Sequence, residues 1–437
     1  MKFRCKLVDK KNLMKRLSFC FLLIFFVQSK CTFVSSSSSL DAFNVQYTDK
    51  EYTSQVGTVS IAPLEALNAA QLNAVPLAQG QTYELIFDLL NPDYQYLKMK
   101  IFHCDWNWIP SKLNDLEFLS NYNEFTIADY AFSQSNFSEY VTYKTVIPKL
   151  KISGNYIICI YQDDQSAIPL FTRKFIVYEN LTYIDANIST PKQPKNSRTH
   201  QKVNLKINYG DLETSNSQED FKVVLIQNRD WKHALMPLLP TQLIPNEKTL
   251  IFNYFNDEML FPGLNNFRFF DARYISYRGQ NVMALQPTSR GIELILEIES
   301  PKKGLAFSQT LNTDLNGAYY TQTLDPNAQN FNSEYVWVNF RMEMAKINGD
   351  IFIHGGFNNW QLNSQNKMSY DENMQAYTGS IRVKQGFYNY NYYVSSDQYP
   401  FYWIDGNHGE HRNNYEILVY HRAPGSLNDR LVGYKKL

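Results

Sequence analysis

The sequence predicts an all-β chain built from β-sandwich domains in tandem. Three observations carry that prediction. From Asp41 onward the dominant hydrophobic period is two, in short runs such as YELIFDLL, YLKMKIFHC and NYIICIYQDD. Gly, Pro, Asn or Asp bound those runs, as expected where strands end in turns. Aromatics reach 15%, with 31 Tyr and 29 Phe, and Tyr is favoured on half-exposed strand faces. At 437 residues and 44% hydrophobic content, the chain has room for about two to four packed domains.

The elements follow in order. Met14-Lys-Arg precedes LSFCFLLIFFV, Leu17 to Val27, and this basic end with an apolar run reads as a secretory signal. The run is short of the roughly twenty residues a bilayer span needs. Met1 and Met14 both fit as the start. Cys31 follows Lys30, where a lipid-anchor site wants a small residue. Residues 1–34 are therefore expected to be signal peptide and leader, and SSSSS at Ser35 to Ser39 a flexible continuation. A first sandwich is expected over residues 43–180, with LEFLSNYNEFTIADYAF as a long loop or a helical turn within it. ANISTPKQPKNSRTHQ is polar and proline-bearing and marks a boundary. KVNLKINY, FKVVLIQN, TLIFNYF, NFRFFDARYISY and GIELILEIE then predict a second β-domain over 181–305. YVWVNFRMEM, GDIFIHGG, YTGSIRV, FYNYNYYV and YEILVYHR predict a third over 306–437, compact enough for an immunoglobulin-like sandwich.

Charge and cysteines narrow the function. Residues 1–29 hold seven of the 42 basic residues and one of the 42 acidic ones, so the remainder carries 35 and 41, a net of about −6. That argues against nucleic acid or an anionic membrane as the main partner. Cys104 and Cys159 sit in strand-like runs, where one disulfide or two buried thiols both fit.

The chain offers no familiar catalytic constellation. HExxH, Gly-x-Ser-x-Gly, GxGxxG and the phosphate-loop pattern are all missing. His408-Gly-Glu-His411 has metal-like spacing, but Gly, Asn and Arg around it predict a solvated loop. Asp163-Asp164 and Asp257-Glu258 stand in turn-like contexts. In HCDWNWIP, His103 to Pro110, two Trp two apart read as an edge strand capping a core, with a stacking platform as the alternative. Arg268, Asp271 and Arg273 pair inside a sheet or face a partner.

HGGFNNW, His354 to Trp360, stands out in the last domain. With Met368, Tyr370, Gly386 and Tyr388-Asn-Tyr390, this region resembles the early-set sandwiches of the glycogen-binding family over about 70 residues. Relatives that bind sugar use the Trp of that motif, a downstream aromatic and a Lys. Trp360 and Tyr390 match, whereas Asn391 stands at the Lys position. The resemblance thus implies Trp360 and Tyr390 as glycan contacts in a polysaccharide-handling alternative.

A wider resemblance covers the chain from about residue 43 to its end. FHCDWNWIPSKL, GNYIICIY, LFTRKFIVYE, VVLIQNRDW, FPGLNNFRFFD, GGFNNWQL, KQGFYNYNYYV and YHRAPGSLNDRLVG, in this order, resemble the plug proteins of the type IX secretion system. The sequence departs from that pattern at Trp106 and His411. The resemblance implies a periplasmic protein that is not an enzyme, with no cofactor, metal or small-molecule substrate. Its implied partner is the outer-membrane translocon barrel, whose inner mouth it closes.

Overall fold

The computed structural model describes residues 45–64, 74–76, 82–134, 137–163, 168–254, 257–309, 312–325 and 333–437. The expected signal peptide, the leader, Met14 and Cys31 lie outside the described residues. Among those described, no helix is long and apolar enough to cross a membrane. Nearly all regular structure is strand, arranged in six sheets that close three hydrophobic cores.

The first sandwich uses strands between Lys50 and Tyr178. Pro169–Tyr178, Gly154–Gln162 and Leu97–Cys104 form the middle of one sheet, and Val56–Pro63, Tyr83–Leu89 and Val141–Val146 form most of the other. Period two is plain in Leu97–Cys104: Leu97, Met99 and Ile101 are buried, while Lys98 and Lys100 are half-exposed. Gly154–Gln162 breaks the period, with eight of its nine residues buried. Its outer face is covered as well, and there the Tyr420 hydroxyl donates to Asn155 Oδ1 at 2.7 Å. Cys104 and Cys159 are free buried thiols. In the ladder Cys104 faces Asn155 and Cys159 faces Lys100, so the sulfurs sit on different rungs. Burial pushes the Cys159 thiol up to about 12, which keeps it protonated and unreactive.

The other two sandwiches do not follow one another along the chain. Tyr183–Ser189, His200–Asn208 and Thr249–Phe252 make one sheet of the second. Its opposite sheet runs Leu235–Leu238, Phe221–Gln227, Tyr415–His421, Arg430–Lys436. The chain therefore leaves this sandwich, builds the whole of the third, and returns to complete it. The third pairs Arg268–Asp271 with Gly386–Ser395 in one sheet and Gly291–Leu296, Tyr335–Glu343 and Ala376–Lys384 in the other. This corrects the expected division at 305/306. Strands of 181–305 and 306–437 share sheets, because Phe221–Gln227 needs a neighbour on each edge and finds one of them in the last hairpin.

Polar links join the sandwiches, and the one at Asp88 is buried. Asp88 of the first, 2% exposed, accepts from Tyr335 Oη at 2.6 Å and Lys384 Nζ at 2.7 Å, both of the third. Arg430 of the second sandwich reaches Glu179 of the first at 2.7 and 2.8 Å. Arg422 spans Asp105 at 2.9 Å and Asp429 at 2.8 Å. A buried carboxylate that loses its partners is costly, so the Asp88 contacts resist sliding between the first and third sandwiches.

His103 gives the fold a dependence on pH. Its Nδ1 lies 2.8 Å from Ser111 Oγ, and its ring meets Tyr156 edge to face. Burial pushes its pKa down to about 4, and burial lowers His354 as well. Both rings stay neutral in the folded chain, while the unfolded chain protonates them near pH 6.5. The stability that neutral His103 permits is thus complete above about pH 6.5 and falls as pH drops towards 4, and His354 adds a loss of the same sign. For His103 the slope is on the order of 1.4 kcal/mol per pH unit. Melting curves at pH 7.5 and 5.0 should show this loss, reduced in His103→Gln; equal losses in both proteins would contradict it.

Candidate functional site

The strand Asp350–His354 delivers HGGFNNW into a tight turn. Asn359 and Trp360 hold left-handed φ angles of 53° and 57°, uncommon for residues with a Cβ. The motif's own side chains secure that backbone. Asn358 Nδ2 donates to the Ile353 carbonyl at 2.7 Å, and Gly355 N donates to Asn358 Oδ1 at 3.2 Å. The His354 ring lies between the Trp360 carbonyl, 3.1 Å from Nε2, and the Asn391 carboxamide, 3.2 Å from Nδ1. Asn391 thus braces the turn. The Trp360 ring packs edge-on against Phe267 and His354. It also lies so close to Gly317 that a Cβ there would stand 2.1 Å from it.

Tyr390 is not beside Trp360 on a surface. It is 1% exposed, packs against Phe270 and Phe340, and donates from its hydroxyl to Glu299 at 3.0 Å. This corrects its candidacy as a sugar contact: it points to the inner face of its strand, where the core encloses the ring. FPGLNNFRFF places a second charge cluster beside it. Arg268 donates to Asp405 at 2.7 Å, Glu299 at 2.9 Å and the Ser300 carbonyl at 2.8 Å, so it pairs inside the domain. Arg273 pairs with Asp271 at 2.6 Å.

HCDWNWIP has a role different from either reading of the sequence. Trp108, at φ 65°, is 7% exposed and meets Trp231 of the second sandwich edge to face, with ring centroids 5.1 Å apart. Lys174 Nζ lies 4.5 Å from the Trp108 ring centroid and 5.6 Å from that of Trp231. Trp106 N donates to Asp429 at 3.3 Å. The motif is a joint between two sandwiches. Sequence reasoning missed Trp231 and Lys174, although both stand in quoted runs, VVLIQNRDW and LFTRKFIVYE; their convergence is purely tertiary.

The two tryptophan motifs open onto one cleft of about 710 Å³, where all three sandwiches meet. Trp108 and Lys174 come from the first, Trp231 and Asn414 from the second, Asn316 and Trp360 from the third. Among the described residues, no group of three or more His, Cys, Asp or Glu is placed to hold a metal ion. His411 is fully buried, 3.0 Å from the Gly263 carbonyl and 2.8 Å from Asp314, and His408 stacks on Phe307. Hence His408 and His411 are not the solvated pair expected of their loop.

Comparison with known proteins adds to this geometry. A crystal structure of a hypothetical protein from Parabacteroides merdae ATCC 43184 superposes with a TM-score of 0.83 at 24% identity, covering 90% of this chain and 99% of that one. It shares the fold. No curated protein matches the chain. Residues 56–179 match the family described as type 9 secretion system plug protein 1st domain, which ties the chain to that secretion system and to the cell envelope. That segment holds nearly all of the first sandwich, HCDWNWIP and Lys174 included. Over residues 56–179 the chain is therefore similar to the first domain of the type 9 secretion system plug proteins.

Proposed function

We propose that this protein is a non-enzymatic periplasmic plug that binds the outer-membrane translocon barrel of type IX secretion and seals it when idle. The match of residues 56–179 to the plug first domain carries the reading. A pore wide enough for folded cargo leaks small solutes, so an idle channel needs a rigid obstruction. Three sandwiches tied by polar links at Asp88, Glu179 and Asp429 supply a stiff body. Tyr96, Tyr122 and Tyr183, exposed by 72%, 78% and 72%, suit a polar, wet and reversible interface. Affinity capture of the tagged protein from gently solubilised outer membranes tests the proposal. A very large barrel in the eluate is the expected result.

A further inference from the structure

The cleft between the three sandwiches has unspent recognition groups that the plug reading does not use. Its carboxylates are all engaged. Asp49 accepts the Lys174 backbone N–H at 2.8 Å, and Asp230 holds His233 at 2.6 Å. Asp314 holds His411 at 2.8 Å, and Glu416 faces Arg229 at 3.6 Å and the Tyr434 hydroxyl at 3.0 Å. The cations are less well matched. Arg173 has Glu51 at 2.6 Å, but the ammonium groups of Lys174 and Lys232 have no hydrogen bond and no carboxylate within ion-pair reach among the described residues. Each instead lies over aromatic rings: Lys174 over Trp108 and Trp231, Lys232 over Tyr393 at 4.6 Å. Burial lowers the pKa of both, offset in part by the charge of Asp49 near Lys174 and of Asp230 near Lys232.

The neutral groups on the same walls narrow the ligand. The side-chain carboxamides of Asn316, Asn359 and Asn414 have no hydrogen-bond partner among the described residues, and neither do the indole N–H groups of Trp231 and Trp360. A carboxamide offers a donor and an acceptor together, the pair that a peptide group requires. The volume, about 710 Å³, falls within the range of clefts that enclose a ligand. An anion alone would answer the lysines and leave the carboxamides unmatched.

We propose that this cleft binds an acidic peptide segment, with a Glu or Asp carboxylate pairing to Lys174 beside the paired indoles and the peptide groups meeting the asparagine walls. The inference stands on the cleft and not on translocon sealing, because it is read on the isolated protein in solution.

Calorimetric titration of the full chain tests it with three probes: a blocked pentapeptide carrying two glutamates, its glutamine counterpart, and sodium glutarate. The glutamate peptide should bind saturably, and the other two at least tenfold more weakly. Lys174→Met keeps an apolar stem against Trp108 and Trp231 and should weaken the glutamate peptide at least tenfold. Equal binding of the glutamine peptide would overturn the charge requirement, without recourse to any variant. Glutarate binding as tightly as the peptide would overturn the peptide class and leave a free-carboxylate site. Unchanged binding to a folded Lys174→Met, or no binding of any probe, would overturn the proposal outright.

Discussion

A chain that stops at residue 412 will not form its second sandwich. The strand Tyr415–His421 is the reason. All seven of its residues are buried, and it lies between Phe221–Gln227 and Arg430–Lys436. Tyr415, Ile417 and Val419 belong to the second core, and Leu418 and Tyr420 are fully buried on the other face. Each such side chain contributes about 1.5–3 kcal/mol by its burial. Losing five removes on the order of 10 kcal/mol, comparable to the whole stability of an ordinary domain. The edges of Phe221–Gln227 and of Gly154–Gln162's outer face would be laid open together, since Tyr420 also holds Asn155. Limited proteolysis should cut such a truncation within residues 181–264 while the intact chain resists there. Equal resistance would mean that the hairpin is an accessory.

The second large effect concerns Arg268. Its guanidinium is buried beside two carboxylates, and Glu299 also accepts from the hydroxyls of Tyr390 and Tyr392. Arg268→Met strands both carboxylates in a low-dielectric core, and breaking such a cluster costs about 3–5 kcal/mol. The penalty comes from the uncompensated charges more than from any lost attraction. Adding Glu299→Gln and Asp405→Asn to Arg268→Met should therefore restore most of the stability. Urea denaturation of the single and triple variants reads this directly. If the triple variant is no more stable than the single one, the cluster matters for shape and not for charge balance.

The strands were legible in the sequence, and their partners were not. YLKMKIFHC alternates because one sheet face meets the core, and that alternation survives in the fold. Nothing in FKVVLIQN or YEILVYHR says that they pair with each other; ladder partners are chosen by packing across long loops, which period two does not encode. The same gap explains the site. HGGFNNW was recognisable as a turn-bearing motif, but not that Tyr390 faces inward while Trp360 faces the cleft. HCDWNWIP drew notice for its tryptophans, yet their meaning lay in Trp231 and Lys174, brought in by a short 3-10 helix and another strand. The free thiols of Cys104 and Cys159 needed the register of Leu97–Cys104 against Gly154–Gln162, which composition leaves open.

Translocon sealing is tested most directly by capturing the tagged protein from outer membranes and comparing cargo-free with cargo-engaged barrels. A plug should recover the very large secretion barrel in its cargo-free form and release it when cargo is bound. Capture of no barrel, with retention of the protein on a glucan column instead, would contradict sealing and return HGGFNNW to a role in sugar binding.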